Sequence, residues 1–410
     1  MNQGHPKPDS SLLDQKLSGV LLLKKPEQGE SPSNWYLSKI AGVPFVLRNL
    51  LTLQRVGIKT LAIFYEESND DLPKSFDKIL TDTRLSKKIV WIPNILKFKE
   101  WVQNNPHPVY IFNGAFLYDK KELFSLIHAK SNNRNESVFS INPDNLENLF
   151  INTESESINL KSEESSGFPF YVLGSNELQI QKQEDFKVLH KAQLKESGLS
   201  HDSPITRILS RPVSRFLTRI LINTPLTPNQ ITLVGFFFGL ISAFLFSQAG
   251  YETSVIAAML LVISTWIDGV DGEIARLKFM ETDIGKKLDI YCDNIIHFLV
   301  FTAIGYGIYL KTGEVIFLYL GGLAGLGGLL SFFLLSPVLL EKRSPGKQLF
   351  HISEPELAEK FANRDFIHFL LLVSLINQLE VFIAIAAVGA NIFAGYLLYS
   401  RILKLKRAEE

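Results

Sequence analysis

The sequence predicts a multi-domain protein, with an α/β front part followed by an all-α part of six transmembrane helices. Two observations predict this fold class. Up to about residue 200, short apolar runs alternate with helical patterns, which is typical of a parallel sheet with crossover helices. Beyond that point come apolar stretches near the roughly 20 residues that a helix needs to cross a bilayer.

The front part contains four short apolar runs that we interpret as buried strands, at 20–23, 60–64, 89–92 and 109–112. A helical pattern of Val and Leu occupies residues 46–56, between the first two runs. The Ser-, Asn- and Glu-rich stretch 132–167 is interpreted as loops or short edge strands, and 183–200 as an exposed linking helix. The alternation of strand and helix predicts a parallel sheet.

The chain divides into four predicted parts. These are a polar tail at 1–17, the α/β domain at 18–190, a linker with a basic juxtamembrane helix at 191–224, and the membrane domain at 225–405. The tail lacks the apolar core of a signal peptide. The 42 Lys and Arg residues balance 42 Asp and Glu residues, so bulk charge indicates no nucleic-acid partner. The single cysteine, Cys292, excludes an internal disulfide and indicates a reducing compartment.

A basic segment precedes the first apolar span. Arginines recur every four residues, with apolar residues between them, at Arg207, Arg211, Arg215 and Arg219. This pattern predicts an amphipathic helix at the membrane interface, bent at Pro212. The alternative is a solvated stripe of charge.

Six apolar spans are predicted, at about 230–248, 254–270, 286–310, 314–340, 366–378 and 381–403. Lys and Arg are concentrated before the first span, in the second and fourth connections and in the tail. Because positive residues remain on the cytosolic side, both termini are expected in the cytosol of an inner or plasma membrane. That orientation requires an even number of spans.

An acidic cluster lies where the second and third spans meet. Asp268 and Asp271 are three residues apart, and Asp289 and Asp293 are four apart, so each pair shares a helix face. A short loop joins the two helices, so the four carboxylates are expected to converge near the cytosolic membrane surface. Such a cluster needs compensating cations, and all-oxygen ligands favour Mg²⁺ or Mn²⁺. Helix caps or solvated turns would not require this spacing.

Small residues and an arginine accompany the acids. Gly272 and Ala275 permit close approach of a ligand, and Arg276 can bind a phosphate with its planar fork. Two divalent cations would offset the four negative charges and create a site for a diphosphate.

The string from Asp268 to Asp293 fits the pattern D-x-x-D-G-x-x-A-R-x8-G-x-x-x-D-x-x-x-D without a departure. In this it resembles the CDP-alcohol phosphotransferases, over roughly residues 200–405. The resemblance implies an integral membrane enzyme that transfers a phosphoalcohol group from a CDP-alcohol to an acceptor hydroxyl and releases CMP. It also implies six transmembrane helices, a cytosolic site and a homodimer.

The resemblance assigns roles to residues. The four aspartates would bind two divalent ions, with Asp293 also the general base. Residues implied to contact or border the nucleotide are Asn229, Gly272, Ala275, Arg276, Thr282 and Gly285. The arginines Arg207, Arg211 and Arg215 would bind either an acceptor phosphate or anionic lipid headgroups. The donor would be a CDP-alcohol such as CDP-diacylglycerol or CDP-inositol, and the acceptor an alcohol or phosphoalcohol.

The front part resembles a sugar-nucleotidyltransferase domain at residues 38–48 and 109–119. Such a domain precedes the membrane enzyme in the inositol-phosphate cytidylyltransferase/di-inositol-phosphate-phosphate synthase subgroup, which this chain resembles. Here the glycine-rich phosphate loop is replaced by residues 23–29, and the lysine position falls near Trp35. The metal-binding acids fall at Ala115 and at Gln179-Ile180-Gln181. These losses predict a degenerate domain that binds, regulates or scaffolds.

Three alternatives remain open from sequence. One is a bifunctional enzyme whose front domain is active. Another is a cation-binding membrane transporter, although the third span has no acidic residue between Asp293 and Leu310. The last is a soluble binding module on an inert anchor, against which the intact motif argues.

Overall fold

The computed structural model describes residues 17–24, 26, 31–65, 72–86, 88–105, 108–128, 138–140, 169–172, 174, 178–196, 204–340 and 365–409. The polar tail up to residue 16, most of the stretch 132–167 and the basic connection 341–364 lie outside the described residues. The chain forms two compact units, 1–193 and 194–410.

The front unit contains a six-stranded sheet. Its strands are β1 (Leu17–Leu22), β4 (Ile58–Phe64), β5 (Val90–Ile92), β6 (Val109–Asn113), β7 (Val138–Ser140) and β8 (Phe170–Val172). The order is β5-β4-β1-β6-β8-β7, and all neighbours are parallel except the antiparallel pair β7–β8. The short strands β2 (Lys39–Ile40) and β3 (Val43–Pro44) form a separate hairpin. The prediction of a parallel α/β sheet is confirmed.

Helices flank the strands in alternation. They are α1 (Pro32–Leu37), α2 (Phe45–Val56), α3 (Leu72–Leu80), α4 (Ile95–Asn104), α5 (Lys120–His128) and α6 (Gln183–Glu196). The central strand β1 is buried along its whole length, and β4 and β6 pair with its two edges. A strand covered on both faces needs a continuous apolar run rather than alternation, which is the pattern at residues 20–23.

Aromatic side chains cover the carboxyl end of β1. The Tyr36 hydroxyl donates to the Lys24 carbonyl oxygen (2.8 Å) and accepts from the Lys24 amide (2.9 Å). Phe186 makes edge contacts with Trp35 and Phe45, with ring centroids 5.1 Å and 5.7 Å apart. The strand end is therefore closed by buried side chains.

His190 on α6 binds the turn of the β2–β3 hairpin, where its Nδ1 accepts from the Ala41 amide (3.1 Å). Burial, together with the nearby charge of Arg48, lowers the pKa of His190. The folded chain therefore holds this ring neutral over a pH range in which the unfolded chain, with a His pKa of about 6.5, takes up a proton.

The contribution of neutral His190 to the stability of the front unit is therefore expected to be fully present above about pH 7. It is expected to fall as the pH drops through about 6.5. Tryptophan fluorescence measures this, since Trp35, Trp91 and Trp101 are three of the four tryptophans and lie in this unit. Thermal melts at pH 7.5 and 5.5 should differ less in His190→Asn, which retains an acceptor that does not titrate. An equal pH dependence in the variant would contradict the assignment.

The juxtamembrane segment is helical in two pieces. A π-helical turn at Thr206–Ser210 leads directly into α7 (Arg211–Leu221), and Pro212 lies in the first turn of α7. The proline has no amide hydrogen to donate, so the change of helical hydrogen bonding falls at this point. Outward-facing apolar residues include Ile208, Phe216 and Ile220, each more than half exposed.

The membrane unit contains α8 (Pro228–Phe246), α9 (Tyr251–Leu277), α10 (Asp283–Thr312), α11 (Ile316–Leu340), α12 (Asp365–Leu375) and α13 (Leu379–Glu409). Among the described residues, five helices are long and apolar enough to cross a membrane: α8, α9, α10, α11 up to Pro337, and α13 up to Leu403. They expose large apolar residues along their lengths, such as Phe237, Phe244 and Phe333. The chain is an integral membrane protein.

The predicted count of six spans is not confirmed. The fifth predicted span, 366–378, corresponds to α12, which has 11 residues. At about 1.5 Å per residue, such a helix is shorter than the hydrocarbon core of a typical bilayer.

The membrane helices pack through small residues and hydroxyl groups. The Ser242 hydroxyl donates to the Ala257 carbonyl (2.7 Å), and the Ser264 hydroxyl to the Gly235 carbonyl (2.8 Å), which ties α8 to α9. Between α10 and α11, Gly305 and Gly321 lie backbone to backbone, so that a Cβ on Gly321 would stand 2.9 Å from the Gly305 Cα. Close backbone approach is the usual means of helix association in a bilayer.

Candidate active site

The site lies at a helical hairpin. Helix α9 ends at Leu277 and α10 begins at Asp283, and the hydroxyl of Thr282 caps α10 by accepting from the Gly285 amide (2.9 Å). The buried Lys278 ammonium donates to the Thr224 carbonyl oxygen (2.7 Å). The turn of the hairpin is thereby attached to the segment that leads into α8.

Three of the four predicted acidic ligands converge. Asp268, Asp271 and Asp289 each offer a carboxylate oxygen within 4.8 Å of the others. Asp271 is buried, and the Thr232 hydroxyl of α8 donates a hydrogen bond to its Oδ2. Asp293 is outside this three-residue group, one turn farther along α10. Oxygen donors gathered so closely in a partly buried place fit a hard divalent cation.

A cavity of about 370 Å³ adjoins the cluster. Asp271 and Asp289 form part of its wall. All of the residues predicted to contact or border a nucleotide line it as well: Asn229, Gly272, Ala275, Arg276, Thr282 and Gly285. The other lining residues are Pro228, Thr232, Met280, Glu281, Asp283 and Lys286. The cavity is therefore bounded by the starts of α8 and α10 and the end of α9.

Two glycines make room for polar side chains at this cavity. A Cβ on Gly285 would stand 2.8 Å from the Asn229 Oδ1, and one on Gly272 would stand 3.2 Å from the Arg276 Nη1. The predicted role of Gly272 was close approach of a ligand. In the structure the glycine also leaves space for the neighbouring guanidinium group.

Helix N-termini point at the cavity wall. Pro228 and Asn229 open α8, whose N-cap Thr227 forms a capping box with Gln230. Asp283 and Gly285 lie in the first turn of α10. Unsatisfied amides and the helix dipole make such ends suitable for anionic groups. The positive ends of two helices thus adjoin the carboxylate cluster.

The predicted phosphate-binding arginines differ in environment. Arg211 is buried, and its Nη1 donates to the Glu273 carboxylate (2.8 Å). Arg215 is half-buried, and its Nε has no hydrogen-bond partner among the described residues. Arg207 lies in the π-helical turn. Arg211, Ser214 and Thr218 connect α7 to Glu273 of the acidic motif.

Sequence reasoning missed the role of Glu273 and the hydrogen bond from Thr232 to Asp271. Glu273 occupies an unspecified position of the motif and is fully buried. A signal for its partners existed: Arg211, Ser214 and Thr218 form a polar stripe at helical spacing, opposite the apolar residues of α7. Thr232 had no comparable signal, since a lone Thr in an apolar span more often bonds to its own backbone.

Comparisons with known proteins found a matching family and several relatives. Residues 225–393 match the sequence model of the family described as CDP-alcohol phosphatidyltransferase. A protein named bifunctional IPC transferase and DIPP synthase from Aquifex aeolicus is 34% identical over 118 residues, covering 29% of this chain and 26% of that protein. One of the same name from Archaeoglobus fulgidus is 33% identical over 149 residues, covering 35% and 29%.

Two further likenesses are more distant. Archaetidylinositol phosphate synthase of Pyrococcus horikoshii is 27% identical over 93 residues, covering 23% of this chain and 47% of that protein. The solved phosphatidylinositol phosphate synthase of Mycobacterium tuberculosis with CDP-DAG bound is 20% identical and covers 47% of this chain and 92% of that chain. Its TM-score of 0.33 is below the level at which folds are treated as alike.

The matched part spans only about a quarter to a third of the first two relatives, 26% and 29% of their length. The family match itself lies within the membrane unit and includes every residue that lines the cavity. Residues 225–393 are therefore similar to the CDP-alcohol phosphatidyltransferase family.

Proposed function

We propose that this protein transfers a phosphoalcohol group from a CDP-alcohol to an acceptor hydroxyl and releases CMP. The observation that carries the proposal is the cavity in which Asp271 and Asp289 meet the whole predicted nucleotide set. A nucleotide diphosphate placed there would have the carboxylate cluster on one side and Arg276 and the α10 N-terminus nearby.

The donor set supports two divalent ions, Mg²⁺ or Mn²⁺, held by Asp268, Asp271, Asp289 and Asp293. When bound, such ions would neutralise the diphosphate and polarise its phosphoryl oxygens. Thr232 orients the Asp271 carboxylate through its hydrogen bond. Arg276 would pair with phosphate oxygens as a charged fork.

The chemical step breaks the bond between the donor phosphorus and the oxygen of the CMP phosphate. The acceptor hydroxyl oxygen forms the new bond to that phosphorus, and its proton passes to Asp293, the proposed general base. CMP leaves as the anion, and the product keeps the donor phosphate as a diester.

The donor proposed is CDP-inositol or CDP-diacylglycerol, and the acceptor an alcohol or phosphoalcohol. The relatives named IPC transferase and DIPP synthase support an inositol-containing donor, and the relative named archaetidylinositol phosphate synthase supports a lipid-linked donor with an inositol phosphate acceptor. Arg207 and Arg215 would bind an acceptor phosphate or lipid headgroups. Arg211 is assigned to Glu273 instead, because its guanidinium is buried against that carboxylate.

We further propose six spans, with α12 as a short fifth crossing and both termini cytosolic. The support is the distribution of Lys and Arg among the connections, which alternates between consecutive loops. The cavity would then open on the cytosolic side, where water-soluble nucleotides are made.

Purified protein given Mn²⁺ and a panel of CDP-alcohols is expected to release CMP only when a matching acceptor is added. The measurement is chromatographic detection of CMP and of the phosphodiester product. No CMP with any donor and acceptor, from monodisperse protein, would sink the proposal. A transporter is disfavoured because the fully buried residues of α10 beyond Cys292 are apolar or glycine.

The front unit is proposed to be a catalytically inactive relative of the nucleotidyltransferases. Two contacts support this. The Ile180 amide donates to the Ala115 carbonyl (2.8 Å), so the two positions at which an active relative would carry its metal-binding acids are adjacent. Neither position carries an acidic residue in this chain. Tyr36 and Trp35 are buried against the end of β1, where nucleotides bind in such sheets.

Incubation with CTP and inositol 1-phosphate is therefore expected to yield no CDP-inositol above a protein-free blank. The assay uses the full chain and detects pyrophosphate as the second product. Steady formation of CDP-inositol and pyrophosphate would favour the bifunctional alternative. Adding the product CDP-inositol to the same sample checks that the membrane unit is competent.

A further inference from the structure

A polar network joins α7 to the acidic motif on α9. The Glu273 Oε1 accepts from Arg211 Nη1 (2.8 Å) and from the Ser214 hydroxyl (3.1 Å), and its Oε2 accepts from the Thr218 hydroxyl (2.7 Å). All four side chains are buried, and Glu273 is 0% exposed. Every donor comes from one helix and every acceptor atom from one carboxylate.

The two helices approach closely at this network. A Cβ on Gly269 would stand 3.3 Å from the Ser214 Cβ, so this glycine, at an unspecified position of the motif, makes room for α7. Glu273 does not line the cavity and is not one of the clustered carboxylates. Its side chain serves the contact with α7.

Glu273 and Asp271 act on opposite sides of α9. Two residues along a helix correspond to a rotation of about 200°, so the two carboxylates point in nearly opposite directions. Thr232 of α8 holds Asp271, and α7 holds Glu273. The last turns of α9 are therefore restrained in rotation from both sides.

We propose that Glu273 is a positioning residue, which sets the rotation of the α9 end so that Asp268 and Asp271 face Asp289. A buried ion pair is weak support for stability by itself, since apolar replacements often stabilise as well. The three directed hydrogen bonds to Glu273, next to the carboxylate cluster, instead favour one rotational orientation of the α9 end. Groups that orient metal ligands commonly alter metal affinity or activity by about 10–100-fold. Only the measurement of CMP release in the test below rests on the proposed function.

The test compares the wild-type full-length chain with Glu273→Gln in detergent. Gln keeps the size and one acceptor oxygen but removes the charge. Mn²⁺ binding, followed without substrate by the loss of the free Mn²⁺ paramagnetic resonance signal, is expected to weaken by about 10–100-fold. CMP release should show a comparable fall in kcat, with a smaller change in the donor KM. Glu252→Gln is the matched control, since Glu252 is exposed at the other end of α9.

A second variant covers the case in which Glu273→Gln does not fold. Ser214→Ala with Thr218→Val removes two donors, keeps the Arg211–Glu273 pair and should weaken Mn²⁺ binding in the same direction. Folded variants with wild-type Mn²⁺ affinity would overturn the inference, as would wild-type protein that binds no Mn²⁺. Wild-type protein that binds Mn²⁺ but releases no CMP sinks the proposed function alone, because the metal-binding comparison still stands.

Discussion

Replacing Asp271 by asparagine is expected to lower CMP release by at least about 10³-fold, since electrostatic stabilisation of the transferring phosphoryl group contributes heavily to the rate of such reactions. Asparagine retains the shape of the side chain and an oxygen that accepts from Thr232, so the helix contact survives. What is lost is one negative charge in a partly buried cluster of three carboxylates.

The control for this variant is Glu314→Gln, because Glu314 is exposed just beyond the far end of α10. It should leave the kinetics unchanged. A folded Asp271→Asn protein with more than a tenth of wild-type kcat would contradict the proposed role. Excess Mn²⁺ should not rescue the variant fully, since the missing charge is part of the site itself.

Gly321→Val is expected to destabilise the membrane unit by about 3 kcal/mol, the upper part of the range for overpacked cores. A Cβ there would stand 2.9 Å from the Gly305 Cα and 3.0 Å from the Phe301 carbonyl oxygen. Both neighbours are backbone atoms, so α10 and α11 must separate to admit a side chain. Size-exclusion chromatography after heating measures the loss as a lower temperature of aggregation.

The adjacent glycine supplies a matched control. A Cβ on Gly322 meets no atom within 4 Å in the described structure, so Gly322→Val places the same side chain on the same helix without a clash. Its melting temperature should stay close to that of the wild type. Equal destabilisation by the two variants would indicate a helix-propensity effect rather than packing between α10 and α11.

The acidic motif could be recognised in the sequence because spacing on a helix fixes which carboxylates share a face. Asp268 with Asp271, and Asp289 with Asp293, needed no knowledge of the rest of the chain. The apolar spans and the parallel strands could be predicted for a similar reason, since local periodicity reflects burial. The number of spans could not be predicted in this way, because an 11-residue helix such as α12 gives no clear length signal.

The sequence by itself determined the local elements and the carboxylate pairs, through periodicity, composition and motif spacing. Only the tertiary structure decided which groups meet between elements: Thr232 with Asp271, Arg211 with Glu273, and Tyr36 with Lys24. These pairs lie 39, 62 and 12 residues apart in the chain. Contacts between elements depend on how helices and strands pack, and the periodicity of one element does not say which other element it will contact. For that reason the contact between Arg211 and Glu273 was not predicted from the sequence.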